Sequence, residues 1–159
     1  MAASDSNNPQ QDEARLTAMV QRWADGKATL REVRGYSDEE LYAIAKTAYY
    51  FYYQGRISEA RTLFQGLYAI NPADAYFAKA LGVVEMAAGN AQGALAAYDV
   101  ALKLDGRDAQ AYVGRAEVRL AMGQKAPAVE DLRRAASLAP EDDPVARKAN
   151  AMIDALGRR

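Results

Sequence analysis

Hydrophobic residues recur along most of the chain at spacings of three and four, the period of an amphipathic helix. The first such stripe is Leu16, Met19, Val20 and Trp23, in a helix predicted from Glu13 and stopped at Asp25-Gly26. A short helical piece is expected over 29–33, closed by Gly35. Ser37, with Glu40 three residues on, forms a capping box that announces a strong helix from Asp38. The last stripe, Val145, Ala149, Met152, Ile153 and Leu156, predicts a helix over 144–156. Residues 1–12 are small and polar, contain Pro9, and read as a disordered tail. Leu and Ala are frequent while Val, Ile and Thr are sparse, which favours helix over sheet.

Between the first and last stripes the chain repeats itself. Gly55, Gly89 and Gly123 stand 34 residues apart. Ala60, Ala94 and Ala128 follow each glycine by five, and Phe64, Tyr98 and Leu132 follow by nine. Pro72 and Pro140 match, with Gly106 between them. A 34-residue period of this content is the signature of the tetratricopeptide repeat, in which two antiparallel helices form each unit. The glycine makes the tight turn within a pair, the alanine lets the two helices approach, and the residue at plus nine fills the core. The fold class is therefore all-α, a tetratricopeptide superhelix of three helix pairs. Its predicted parts are a helical extension over 13–36, repeats over 41–74, 75–108 and 109–142 within 37–142, and a capping helix over 143–159. Caps are needed because a terminal repeat otherwise exposes its stacking face.

In such a stack the first helix of each unit lines the concave side. Its inward positions give Tyr42, Ala45, Tyr49 and Tyr52 in the first unit, then Tyr76, Lys79, Val83 and Met86 in the second. In the third they give Gln110, Val113, Glu117 and Leu120. The run Tyr49 to Tyr53 spreads around the helix at about 100° per residue. Phe51 is expected inside, with Tyr49, Tyr52 and Tyr53 toward the groove or packed on the N-terminal helices. Tyrosine suits a binding surface because it joins large area to a polar tip. The stripe Leu16, Met19, Val20 and Trp23 either docks on the first unit or covers a second chain, and a homodimer interface is the favoured expectation.

Composition narrows the chemistry. The chain has no cysteine and no histidine, which removes disulfides, thiolate metal sites, the commonest metal ligand and the commonest general base. Ser37 reads as a helix cap, and the acid pairs Glu39-Glu40 and Asp142-Asp143 as a helix start and a solvated loop. No catalytic residue, metal site or cofactor is expected, and the chain reads as a binding protein. A net charge of −1 gives no general attraction to nucleic acid or anionic lipid. No apolar run approaches the ~18 residues of a membrane span, and the N-terminus carries no secretory signal pattern, so a cytoplasmic location is expected.

The lead-in Asp25-Gly26-Lys27-Ala28-Thr29-Leu30 and the Gly35-Tyr36-Ser37 before the first repeat carry a more specific likeness. With them go Ala48-Tyr49, Tyr52, Phe64-Gln65-Gly66-Leu67, Phe77, Leu81-Gly82 and Ala116-Glu117. Together these residues resemble the class II chaperones of bacterial type III secretion, over about 115 of the 159 residues. The resemblance implies a chaperone that holds an extended segment of a membrane-active translocator in the groove, keeping it soluble, and that often forms a homodimer. It implies groove contacts at Tyr49, Tyr52, Tyr76 and Val83. A rival reading is a generic repeat scaffold in another bacterial assembly. Repeats that grip the carboxylate terminus of heat-shock chaperones need paired basic donors, and Ala45, Tyr49, Gln110 and Gly114 stand there instead. Arg115 and Arg119 depart from the pattern, standing where small or apolar residues are preferred. Either Asp131 pairs with one of them or the third unit packs less tightly there.

Overall fold

The computed structural model describes residues 9–27 and 35–158. The helical piece expected over 29–33 and the first eight residues of the expected tail lie outside them. Among the described residues there are eight α-helices and no strand. They are α1 (Pro9–Ala24), α2 (Asp38–Tyr53), α3 (Ile57–Ile70) and α4 (Ala75–Ala87). They continue with α5 (Ala91–Leu104), α6 (Ala109–Ala121), α7 (Lys125–Leu138) and α8 (Pro144–Gly157). Helix α1 begins at Pro9, so residues 9–12 form its first turn rather than the end of a tail. Proline fits there because the first helical amides have no acceptor within the helix.

Four helices end in the same way. Gly26, Gly55, Gly89 and Gly123 have φ of 70°, 77°, 78° and 75°. After each, the next residue's N–H reaches back to a carbonyl five residues earlier, as in Arg56 to Phe51 and Asn90 to Glu85, both at 2.9 Å. This is the Schellman closure, and the left-handed backbone it requires is the reason for glycine. Asn90 also starts the helix that follows, because its Oδ1 accepts from the Gly93 N–H at 3.0 Å. One residue thus closes α4 and caps α5, which keeps the turn short. Elsewhere the starts are capped by Ser37, whose box with Glu40 is complete, and by Asp74, Asp108 and Asp143.

The chain divides after Ile70 into two compact units. In the first, α2 packs on α3 and α1 lies mainly on α3. Ile44, Leu63, Phe64 and Leu67 are fully buried there. Each such side chain contributes about 2 kcal/mol of hydrophobic stabilisation before entropy is counted. Val20 and Trp23 of α1 join this core at 4% exposure each. The indole fits because residue 66 is glycine: a Cβ there would fall 1.8 Å from Trp23 Cζ2.

In the second unit α4 pairs with α5 and α6 with α7, α5 packs on α6, and α8 packs on α7 with further contact to α6. Ala94 and Ala128, like Ala60 in the first unit, are completely buried, as close helix approach requires. Val145, Met152, Ile153 and Leu156 of α8 pack on a core of Val113, Ala116, Leu132 and Ala135.

The third repeat is closed by charge as well as by carbon. Asp131, 3% exposed, accepts a bidentate pair from Arg115 at 2.8 and 3.0 Å and a third bond from Arg119 at 2.7 Å. Arg115 also reaches Asp99 of α5 at 2.8 Å, and Arg119 donates to the Pro127 carbonyl at 3.2 Å. Asp131 therefore pairs with both arginines, and the alternative of a loosely packed third unit does not hold. The hydrogen bonds to Asp131 outweigh desolvation and hold the Arg115 guanidinium above its usual pKa.

Candidate functional site

The first unit carries an aromatic surface on α2. Phe51 is buried and the Arg56 guanidinium lies over its ring at 4.0 Å. Tyr49 is half-buried, its ring edge-on to Phe64 at 4.9 Å and 6.4 Å from Tyr53 in a stacked arrangement. Tyr52 stands at right angles to Tyr49 at 6.5 Å. Tyr42 and Tyr53 are exposed, at 41% and 80%. Tyr49, Tyr52 and Tyr53 thus form one connected cluster, anchored at Tyr49 on the core and open at Tyr53.

Two predictions for this unit are corrected. Ala45 is fully buried, because it falls in the stripe of Leu41, Ile44 and Ala48 that faces the core, and it reaches no groove. Val20 and Trp23, expected in a dimer interface, are consumed by the chain's own core on α3, while Leu16 and Met19 are half-buried.

The second unit holds a cleft of ≈ 280 Å³. Helix α4 contributes Val83 and α6 contributes Gln110, Val113 and Glu117, four positions that the repeat register places on the inner face. Tyr98 of α5 and Gly114 of α6 form part of its lining. Tyr98 is wedged between two glycines: a Cβ at Gly82 would lie 2.9 Å from its ring, and one at Gly114 2.4 Å from its Cζ and hydroxyl. Helix α8 supplies the last wall with Val145 and Lys148. The Lys148 ammonium bridges to Glu117 at 2.6 Å.

The remaining inner-face residues are placed as follows. Tyr76, Val83 and Met86 are half-buried on α4. Burial raises the Tyr76 phenol above its usual pKa, and the Asp74 carboxylate adds to the shift. Lys79 is engaged within the fold: its ammonium bonds Asp108 at 2.6 Å and Gln110 at 3.3 Å. Asp108 in turn caps α6 through the Ala111 N–H at 3.0 Å, so Lys79 ties α4 to the start of α6. Sequence reasoning missed Tyr98, Val145 and Lys148 as lining residues. Tyr98 was legible only as the core residue at plus nine, and nothing in the period says that α8 reaches the inner face of α6.

The chemistry of both surfaces is that of contact. They offer rings, branched aliphatic walls and a few polar tips, and among the described residues no group of three or more Asp, Glu, His or Cys could hold a metal. The profile of the tetratricopeptide repeat matches residues 45–109 and 80–143. The chain belongs to the tetratricopeptide repeat family. No curated protein sequence matches it. Among solved structures, this tetratricopeptide chain is similar to the Yersinia enterocolitica type III secretion chaperone SycD in complex with a peptide of the translocator YopD. The TM-score is 0.70 at 25% identity, covering 77% of this chain and 95% of SycD. PcrH of Pseudomonas aeruginosa, in complex with the chaperone binding region of PopD, is similar at TM-score 0.71 and 27% identity, covering 79% and 96%. A type III secretion complex from Aeromonas hydrophila shares the fold at TM-score 0.73 and 23% identity, covering 91% and 96%.

Proposed function

We infer that this protein is a type III secretion chaperone that binds an extended segment of a translocator and keeps it soluble until export. The observation that carries the reading is the likeness, over most of both chains, to SycD and PcrH, each crystallised with a translocator segment. The tyrosine cluster of α2 and the cleft of the second unit are the proposed contact surfaces. Tyr42, Tyr49, Tyr52, Tyr76, Val83, Met86, Val113 and Glu117 are the proposed contacts. An extended partner suits them, since alternate side chains point to one face while the others stay outside. Covering an apolar segment lowers its tendency to aggregate or insert early.

The role is one of binding and not catalysis, and it needs no cofactor. It is exercised in the bacterial cytoplasm, before the partner leaves the cell. No helix among the described residues is long and apolar enough to cross a membrane, in keeping with that reading. The chaperone acts as a homodimer, for which Leu16 and Met19 remain the proposed contacts. The alternative dimer in which SycD has been crystallised supports self-association in this fold.

Co-expression with translocators of the YopD and PopD type tests the function. A soluble complex that survives gel filtration is expected. Translocators that stay insoluble and unbound would refute it and leave a general repeat scaffold.

A further inference from the structure

We propose that Gln110 is a hydrogen-bond donor of fixed direction, oriented by Lys79, and that it binds a backbone carbonyl of the partner segment. The inference rests on the chaperone reading and adds a polar anchor to it.

The direction of the amide follows from counting donors. The Gln110 side chain has an acceptor oxygen on one arm and a donor NH2 group on the other. A lysine ammonium has donors alone. The Lys79 ammonium stands 3.3 Å from Gln110 Oε1, and only the oxygen can meet it. A flipped amide would set NH2 against ammonium with no acceptor between them. The nitrogen therefore takes the arm away from Lys79, where it has no acceptor among the described residues. Gln110 is exposed and lines the cleft of the second unit, so this donor is open to a partner there.

Lys79 is itself held in place. Its ammonium bonds the Asp108 carboxylate at 2.6 Å, and the two side chains are only 19% and 18% exposed. The other Asp108 oxygen caps α6 by accepting from the Ala111 N–H at 3.0 Å. A chain of contacts thus runs from the α6 backbone through Asp108 and Lys79 to Gln110. A glutamine on an open helix start ordinarily samples several rotamers. Here it is ordered before a partner arrives, which lowers the entropy lost on binding.

The charge balance selects the acceptor. Asp108 neutralises Lys79, and Glu117 neutralises Lys148 at 2.6 Å in the cleft lining. A carboxylate would lose its hydration to a neutral amide without gaining an unpaired cation. A backbone carbonyl is neutral and is satisfied by one N–H. Every residue of an extended segment brings such a carbonyl, which needs a donor once water is displaced.

The test is nuclear magnetic resonance on the full chain with nitrogen labelled. It is titrated with the chaperone binding region of PopD labelled at its backbone carbonyl carbons. The Gln110 side-chain amide protons should shift, exchange more slowly with water and correlate through a hydrogen bond with a backbone carbonyl of the segment. Gln110→Met, which keeps the length and removes the donor, should weaken binding about two- to tenfold. Lys79→Met should weaken it as well, yet add nothing in the Gln110→Met background. Lys79→Arg, again a donor without an acceptor, should recover most of that loss. A cost of Lys79→Met that persists in the Gln110→Met background overturns the positioning role. Should a Lys79 variant fold poorly, the amide signals of the parent decide. Binding with the Gln110 amide unmoved, or moved without that correlation, overturns the proposal and leaves the chaperone reading standing. Absence of any binding by the parent overturns the reading and the proposal together.

Discussion

The indole of Trp23 occupies the space that a side chain at residue 66 would need, with Cζ2 only 1.8 Å from where a Cβ would stand. Gly66 on α3 is therefore the seat of α1, and the two residues make the N-terminal helix part of the first unit's core. Gly66→Ala should force α1 off its seat, with an overpacking cost of about 1–3 kcal/mol. Trp23 is the single tryptophan, so its emission should shift to the red as the ring meets water. Unchanged emission and an unchanged urea midpoint would show that α1 is held elsewhere.

Asp131 is the shared acceptor of two arginines and is almost wholly enclosed. Asp131→Ala leaves both guanidinium groups without it, and breaking a buried ionic cluster in this way costs about 3–5 kcal/mol. Denaturant unfolding should show a lower midpoint, and restoring the pair chemistry with Asp131→Glu should recover part of the loss.

The turn glycines carry a separate, smaller cost. Gly89 has φ of 78°, and a methyl placed there would meet nothing within 4 Å, so only backbone strain opposes a side chain. Gly89→Ala should destabilise by about 1–2 kcal/mol, and Gly89→Asn by less, since Asn tolerates the left-handed region better. Thermal melts of the two variants distinguish strain from packing by that order.

Alkaline pH should weaken the second unit through Tyr76. Its phenol titrates above the usual value because burial disfavours the phenolate, with Asp74 adding to the effect. The folded chain therefore holds that proton more tightly than the unfolded one. The stability it contributes is present in full below the unfolded value near 10 and is lost as pH rises through the folded value. Urea midpoints measured from about pH 9 to 11 should fall less steeply for Tyr76→Phe than for the parent.

The parts of the fold legible in the sequence are those fixed by short-range constraint. Gly55, Gly89 and Gly123 declare their turns because left-handed backbone admits few residues, and Ser37 with Glu40 declares a helix start across three positions. Ala60, Ala94 and Ala128 are legible because the period repeats their burial. What escaped depends on pairs distant in the chain. The Trp23–Gly66 contact joins the extension to a repeat and so has no period to reveal it. Lys79 looks like a free cation on an inner face until Asp108 is placed beside it. A pairing of Asp131 with one arginine is readable from the sequence, but the link to Asp99 needs the packing of α5 on α6.

Calorimetric titration of the full chain with the chaperone binding region of PopD tests the central claim most directly. The account predicts saturable binding that is weakened by about 2–4 kcal/mol when Tyr49→Ala and Tyr52→Ala are combined, the scale of an interfacial hot-spot pair. Binding of equal strength in the double variant, or no binding to the parent, would contradict it.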